Sequence, residues 1–274
     1  MYIGQQQRII VMLISIAILS NSSALSQQVI KPEIAFTPAD RSNISIFITL
    51  KQLPNEYFLF TMPEIFTGKN LDQGLFNADL KPWFINGDYA TRKVKNELYR
   101  YSVELMLNKK QNEYWLTWII KFKNNSKYSL QDLAAFNCLT MDRAPLFKDT
   151  TMSRTWVKDE SGKITLLKDI RKVKGEGRRT MQFYPVLGGI DLEKSPWIKG
   201  WNVISPAMLS GNSVWLESID GRWKIETVVD GQPAFFFNNW EPDHGCIHSS
   251  PLLAKELKPG ETAVSSGRFR FTKK

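Results

Sequence analysis

The stretch Tyr99-Arg100-Tyr101-Ser102-Val103-Glu104-Leu105-Met106-Leu107 places apolar residues at its odd positions and mostly polar residues at its even positions. Because successive side chains of a strand point to opposite faces, this alternation predicts a β-strand with one buried face. Residues 113–123 repeat the pattern, and the turn residues Asn124-Asn125-Ser126 follow them. Residues 128–139 form a third apolar run without clean alternation. The sequence therefore predicts three strands that form a small antiparallel meander.

Two further hairpins are marked by their turns. Asp220-Gly221 separates residues 214–219 from residues 223–229, and Asp-Gly between two β-prone runs is a strong hairpin signal. Residues 159–163 separate residues 155–157 from residues 164–167 in the same way. Additional strands are predicted at Ile44–Leu50, Glu56–Met62, Ala234–Asn238 and Thr262–Phe271. Many short strands with little amphipathic helix predict an all-β fold, an antiparallel β-sandwich.

Two segments between the strands are long, at residues 66–88 and 171–211. Both contain glycine, proline, tryptophan and scattered apolar residues, a composition that favours ordered loops packed over a sheet. No linker or internal repeat divides the chain, and residues 27–274 are predicted to form a single β-sandwich domain.

The N-terminus resembles a secretory signal peptide. Arg8 is followed by the uncharged apolar run Ile9–Leu19 and by small polar residues up to Ser26. The apolar run has 11 residues, against about 20 for a helix that crosses a bilayer. Residues 1–26 are therefore predicted to be cleaved, and the protein to be exported to the periplasm or the extracellular space without a transmembrane anchor. An uncleaved anchor is the alternative.

The chain has a formal net charge of +9, which becomes +8 when Arg8 is removed. Such an excess favours acidic partners. The basic residues are dispersed, however, and the densest groups lie at positions 171–174 and 178–179, which is typical of solvated loops. Export further argues against nucleic acid, and the predicted partner is an acidic or neutral polysaccharide.

Both histidines and one of the two cysteines lie in the segment Asp243-His244-Gly245-Cys246-Ile247-His248. In an extended chain, positions 244, 246 and 248 share one face. This segment is the main candidate site of the sequence, and three roles compete for it.

The first role is a disulfide between Cys138 and Cys246, which an oxidising compartment would favour. The bridge would close a loop of more than a hundred residues, worth about 3–5 kcal/mol in the loop-entropy model. It would also bring residues near Cys138 towards the histidines.

The second role is a Zn or Cu site made by His244, Cys246, His248 and Cys138. Ligands at every second position of a flat strand spread over about 13 Å. We therefore expect them to converge poorly on one ion unless Gly245 bends the chain.

The third role is a polar ligand or catalytic site. His248 and His244 beside a carboxylate such as Asp142 would act as general acid or base, with Arg143 in the same neighbourhood. Ligand-binding side chains would come from Trp240, Glu241, Asp243 and Arg154, since exposed tryptophan rings stack on sugars. The alternatives are a hydrogen-bonded cap at the sheet edge and tryptophans that anchor loops in the core.

The stretches at residues 133–139, 154–157, 246–251 and 257–261 resemble a group of poorly characterised exported bacterial proteins, over about the last 140 residues. The terminal Leu257-Lys258-Pro259-Gly260-Glu261 turn and the strand after it also resemble the end of galactose-mutarotase-like proteins. That superfamily handles carbohydrates on a β-supersandwich and uses two histidines far apart in sequence, whereas His244 and His248 are four positions apart.

We therefore predict a β-sandwich that binds or processes carbohydrate through the His244–His248 segment, without a cofactor. The alternative is a protein of the cell envelope that binds Zn or Cu or has a structural role only.

Overall fold

A computed structural model describes residues 33–39, 45–70, 81–173, 181–240 and 244–274 of the chain. These residues form sixteen β-strands in two antiparallel sheets and one short α-helix, α1 (Pro196–Trp201). The strands are β1 (Ile34–Pro38), β2 (Ile46–Leu50), β3 (Leu53–Thr67), β4 (Phe84–Asn86), β5 (Tyr89–Lys95), β6 (Tyr99–Lys110), β7 (Glu113–Asn124), β8 (Leu130–Arg143), β9 (Thr155–Asp159), β10 (Ile164–Leu166), β11 (Met181–Pro185), β12 (Leu209–Glu217), β13 (Trp223–Val229), β14 (Pro233–Trp240), β15 (Gly245–Leu257) and β16 (Thr262–Lys273).

The two sheets differ in size. The seven-stranded sheet has the order β1-β2-β3-β8-β15-β14-β11, and the nine-stranded sheet has the order β10-β9-β12-β13-β16-β7-β6-β5-β4. Their inner faces pack against each other, as the rings of Phe60 in β3 and Phe269 in β16 show with centroids 5.6 Å apart. The predicted antiparallel β-sandwich is confirmed.

The nine-stranded sheet follows the alternation in the sequence. The apolar residues of β6 and β7 face the inner core, where Val103, Leu105, Leu116 and Trp118 are fully buried. The polar residues between them face outward. Both predicted hairpins are also confirmed, since β9 pairs with β10 and β12 pairs with β13.

The seven-stranded sheet is covered on part of its outer face as well. A second apolar cluster, with Phe136, Phe183, Phe235 and Phe237 on the strands, packs there against Ile198 of α1. Strands buried on both faces do not need alternating polar residues. This explains why residues 128–139 show no alternation in the sequence.

The predicted meander is wrong in its third strand. β6 and β7 pair in the nine-stranded sheet, but β8 crosses to the centre of the seven-stranded sheet, between β3 and β15. The predicted loop at residues 171–211 is also not a simple loop, because β11 and α1 lie within it. β11 pairs with β14 at the sheet edge.

Residues 1–26, Glu241 and Asp243 lie outside the described residues. In the described part of the chain, no helix combines the length and apolar character needed to cross a membrane.

Candidate functional site

The candidate site lies where β8 and β15 pair in the middle of the seven-stranded sheet. His248 is directly opposite Cys138, and Cys246 is opposite Thr140. The neighbouring Ser249 of β15 bonds to Thr227 of the other sheet and so faces inward. Cys138, Cys246 and His248 therefore point to the outer face, where the ring of Phe136 stacks on the imidazole of His248 with centroids 4.4 Å apart.

The two thiols and the imidazole form one compact cluster. One ligand atom from each of Cys138, Cys246 and His248 lies within 4.8 Å of the other two. The Nε2 atom of His248 is 3.5 Å from the Cys246 sulfur, and all three residues are buried. Two of the three candidate ligands in the His244–His248 segment, Cys246 and His248, converge with Cys138 from the neighbouring strand, whereas His244 is not part of this group.

Both cysteines are free, and the predicted disulfide is not formed. The register explains why. Because Cys138 is opposite His248, Cys138 and Cys246 are diagonal neighbours. Diagonal neighbours on paired strands are about 7–8 Å apart, whereas the Cα atoms of two bonded cysteines are usually about 4.4–6.8 Å apart.

The close contacts within the cluster shift the pKa values of its three side chains. A hydrogen bond from Cys246 and the charge of His248 lower the pKa of the Cys138 thiol in spite of its burial. Burial and the neighbouring Cys138 raise the pKa of Cys246. Burial opposes the charge of His248, but Cys138 and Glu64 outweigh it and raise the pKa of the imidazole. The two thiols and the imidazole thus have pKa values that are shifted by their contacts with one another and with the Glu64 carboxylate.

Glu64 is a site residue that the sequence did not indicate. Its Oε2 atom lies 3.4 Å from Nε2 of His248 and makes no hydrogen bond. Glu64 belongs to β3, where the pairing with β8 is interrupted between Thr61 and Ile65. The contact joins residues 184 positions apart in the chain, and no local pattern around Glu64 marks it.

His244 and Asp142 contact each other beside the cluster, although the disulfide that was expected to bring Asp142 there is not formed. The Nδ1 atom of His244 is 3.0 Å from Oδ2 of Asp142, and the backbone N–H of Gly245 donates to Oδ1 of the same carboxylate. The Nε2 atom of His244 is 3.6 Å from the Cys246 sulfur. The His244 side chain is 41% exposed, whereas that of His248 is 2% exposed.

The structure places three other predicted site residues away from direct contact with the cluster. Arg143 lies over the ring of Phe47, 5.3 Å from its centroid. The guanidinium of Arg154 donates to the carbonyl oxygens of Leu146, Lys148 and Glu217.

Trp240 is buried and lies against Gly245, its partner in the pairing of β14 with β15. A Cβ atom on Gly245 would lie 2.6 Å from the indole, so only glycine allows this approach. In this position the ring anchors the start of β15 and presents no exposed face to a ligand.

Neither a protein-family model nor a curated protein sequence matches the chain. Similar solved structures include the Slr1438 protein from Synechocystis sp. PCC 6803, with 10% identity and a TM-score of 0.47 over 89% of this chain and 97% of that chain. A galactose mutarotase-like protein from Lactobacillus casei has 10% identity and a TM-score of 0.48, over 85% of this chain and 95% of that chain. A putative aldose 1-epimerase from Escherichia coli K12 has 12% identity and a TM-score of 0.44, over 88% of this chain and 99% of that chain.

Proposed function

We propose that this protein binds a zinc ion through Cys138, Cys246 and His248. The observation that carries the proposal is the convergence of two free thiols and one imidazole within 4.8 Å of one another in a buried place. Buried cysteines and histidines at such distances are the ligand set that zinc takes in proteins.

One distance within the cluster agrees with tetrahedral coordination. With zinc–sulfur bonds of about 2.3 Å and zinc–nitrogen bonds of about 2.0–2.1 Å, neighbouring S and N ligands are about 3.5 Å apart. The Cys246 sulfur and His248 Nε2 are 3.5 Å apart. A zinc ion would therefore fit between these two ligands with little change in their separation.

The side chains around the cluster favour zinc over copper(I). Copper(I) prefers soft thiolate and thioether ligands, whereas zinc also accepts carboxylate oxygen. The carboxylate of Glu64 stands beside His248 with an oxygen that lacks a hydrogen bond. A divalent ion would balance this negative charge together with the thiolates.

Zinc bound by these three residues would need a fourth ligand. Glu64 and His244 flank the cluster, but neither comes within 4.8 Å of all three ligand atoms. Their side chains are 40% and 41% exposed, although the Oε2 atom of Glu64 that faces His248 is itself buried. Three protein ligands and one position for water or substrate are the arrangement of catalytic zinc sites.

Elemental analysis of protein purified without chelator tests the proposal. We expect one zinc per chain, and we expect Cys138→Ser and Cys246→Ser to lose it. Ser250→Ala serves as the control, because Ser250 lies on the same strand and is buried without being a ligand. This control is expected to keep the zinc.

Three results would contradict the zinc site. The first is protein that keeps two free thiols and binds no metal after exposure to zinc, and the second is stoichiometric copper in place of zinc. The third is a mass lower by two hydrogens in non-reducing mass spectrometry. The last result would show a disulfide between Cys138 and Cys246.

Carbohydrate binding or processing is the second candidate function. It is favoured by the exposed His244–Asp142 pair, in which the carboxylate orients an imidazole at the protein surface. A histidine held in this way can act as a general acid or base. Measurements of binding and cleavage with a panel of acidic and neutral polysaccharides test this function. The variant His244→Gln should lose the binding or cleavage that the wild type shows. Folded protein that neither binds nor cleaves any member of the panel would exclude it.

Export is part of the same proposal, since residues 1–26 resemble a signal peptide. N-terminal sequencing of the mature protein tests it, and Gln27 is the expected first residue.

A further inference from the structure

The nine-stranded sheet carries a basic patch on its outer face, which is separate from the cysteine–histidine cluster. Four neighbouring strands, β5, β6, β7 and β16, contribute to it. Its cations are Lys93, Lys95, Arg100, Lys121 and Lys123, and together with Ser102 and Thr262 they line a groove of about 410 Å³. These cations are spread over 31 positions of sequence, and the strand pairing brings them together.

The register aligns three of the cations in one row. Lys95 is directly opposite Arg100, and Arg100 is directly opposite Lys123. Neighbouring strands are about 4.8 Å apart, and like charges directly opposite each other destabilise a sheet. The row of cations therefore lowers the free energy of unfolding of the protein when no anion is bound.

Little within the described part of the chain neutralises this row. Lys121 in the adjacent row lies 3.9 Å from Glu104, but Lys95, Arg100 and Lys123 form no ion pair with a described residue. Uncompensated cations that line one groove raise the local concentration of anions.

We infer that this groove binds a linear anionic polysaccharide, one that carries carboxylate or sulfate groups along its chain. The row of cations would meet successive anionic groups, and the hydroxyls of Ser102 and Thr262 would bond to sugar oxygens. This inference does not depend on the zinc site, which lies on the other sheet.

Other polyanions fit the groove less well. Proteins that bind single-stranded nucleic acid stack bases on exposed aromatic rings. Among the described residues that line this groove, the only aromatic one is Tyr101, and it is buried. A flat membrane surface would not fill a groove. The predicted export also favours a polysaccharide.

Binding measurements with the whole mature chain test the inference, using polygalacturonate as the anionic probe and dextran as the neutral one. We expect binding of polygalacturonate that weakens steeply with salt, and no binding of dextran. The double variant Arg100→Gln/Lys123→Gln should weaken binding by about tenfold or more. The matched double variant Lys163→Gln/Lys199→Gln removes two exposed cations elsewhere and should change binding by less than about twofold.

Thermal unfolding of each variant distinguishes lost binding from lost folding. Equal weakening by the two double variants would overturn the inference, because it would show an effect of net charge alone. It would also be overturned by absence of polygalacturonate binding, or by tighter binding of single-stranded DNA or of phosphatidylglycerol vesicles.

Discussion

His248 lies directly opposite Cys138 in the pairing of β15 with β8, and both side chains point to the outer face of the seven-stranded sheet. Cys246 is two residues before His248 and shares its face. Two paired strands thus hold all three proposed zinc ligands, without any contribution from a loop. Strand pairing fixes the ligand positions before the ion binds, which reduces the ordering that binding requires.

Zinc is expected to stabilise the folded protein. A ligand that binds only the folded state adds about 2.7 kcal/mol when its free concentration is 100 times Kd. Cys246→Ala removes one ligand, and the stabilisation by zinc should disappear. Urea unfolding with zinc and with chelator measures both effects. Ser250→Ala should keep the full zinc response, and a zinc response that survives in Cys246→Ala would contradict the assignment of this ligand.

The sequence predicted most of the fold because alternation reports one-sided burial. β6 and β7 show this pattern and were predicted closely, as were the two hairpins with marked turns. β8 was predicted as a strand but with the wrong partner, whereas β11 was missed, since burial on both faces leaves it without alternation. The pairing of β8 with β3 and β15 joins distant parts of the chain, and no local signal specifies it.

The site was predicted only in part. The sequence indicated Cys138, Cys246, His244 and His248, and the structure brings them together with Asp142. It could not distinguish a disulfide from a metal site, because this depends on which residue lies opposite Cys138. The boundaries of the single domain and the signal peptide stay predictions.

Gly245→Ala is expected to destabilise the protein by about 1–3 kcal/mol, because its Cβ would lie 2.6 Å from the indole of Trp240. Gly231→Ala is the matched control, since its Cβ would meet no atom within 4 Å, and its effect should stay within about 0.5 kcal/mol. Urea unfolding compares the two variants. Equal free energies of unfolding for the two variants would show that the indole of Trp240 moves aside without loss of stability.

The carboxyl of Asp220 makes the free energy of unfolding depend on pH in the acidic range. Hydrogen bonds from Ser218 and Arg222 lower the pKa of its carboxyl to about 2. The unfolded chain therefore takes up a proton first as the pH falls, and the stabilisation present above about pH 4 is lost between about pH 4 and pH 2.

Solvent screens this turn, so we expect a contribution of about 0.5–1 kcal/mol at neutral pH. Asp220→Asn should be less stable than the wild type at pH 6, and the difference should vanish near pH 2. Glu160→Gln, in the turn of another hairpin, is the control. A difference for Asp220→Asn that does not change with pH would contradict the role of the charge.

Two cross-strand pairs between β6 and β7 allow a test of the basic patch in the free protein. Arg100 is opposite Lys123, whereas Lys110 at the other end of the same strands is opposite Glu113. Because like charges repel and opposite charges attract, Lys123→Gln should raise the free energy of unfolding by about 0.2–1 kcal/mol and Lys110→Gln should lower it by a similar amount. Both changes should shrink as salt is added, since salt screens exposed charges. Urea unfolding at low and high salt measures them. A destabilising Lys123→Gln would show that the row of cations is already neutralised without a bound polyanion.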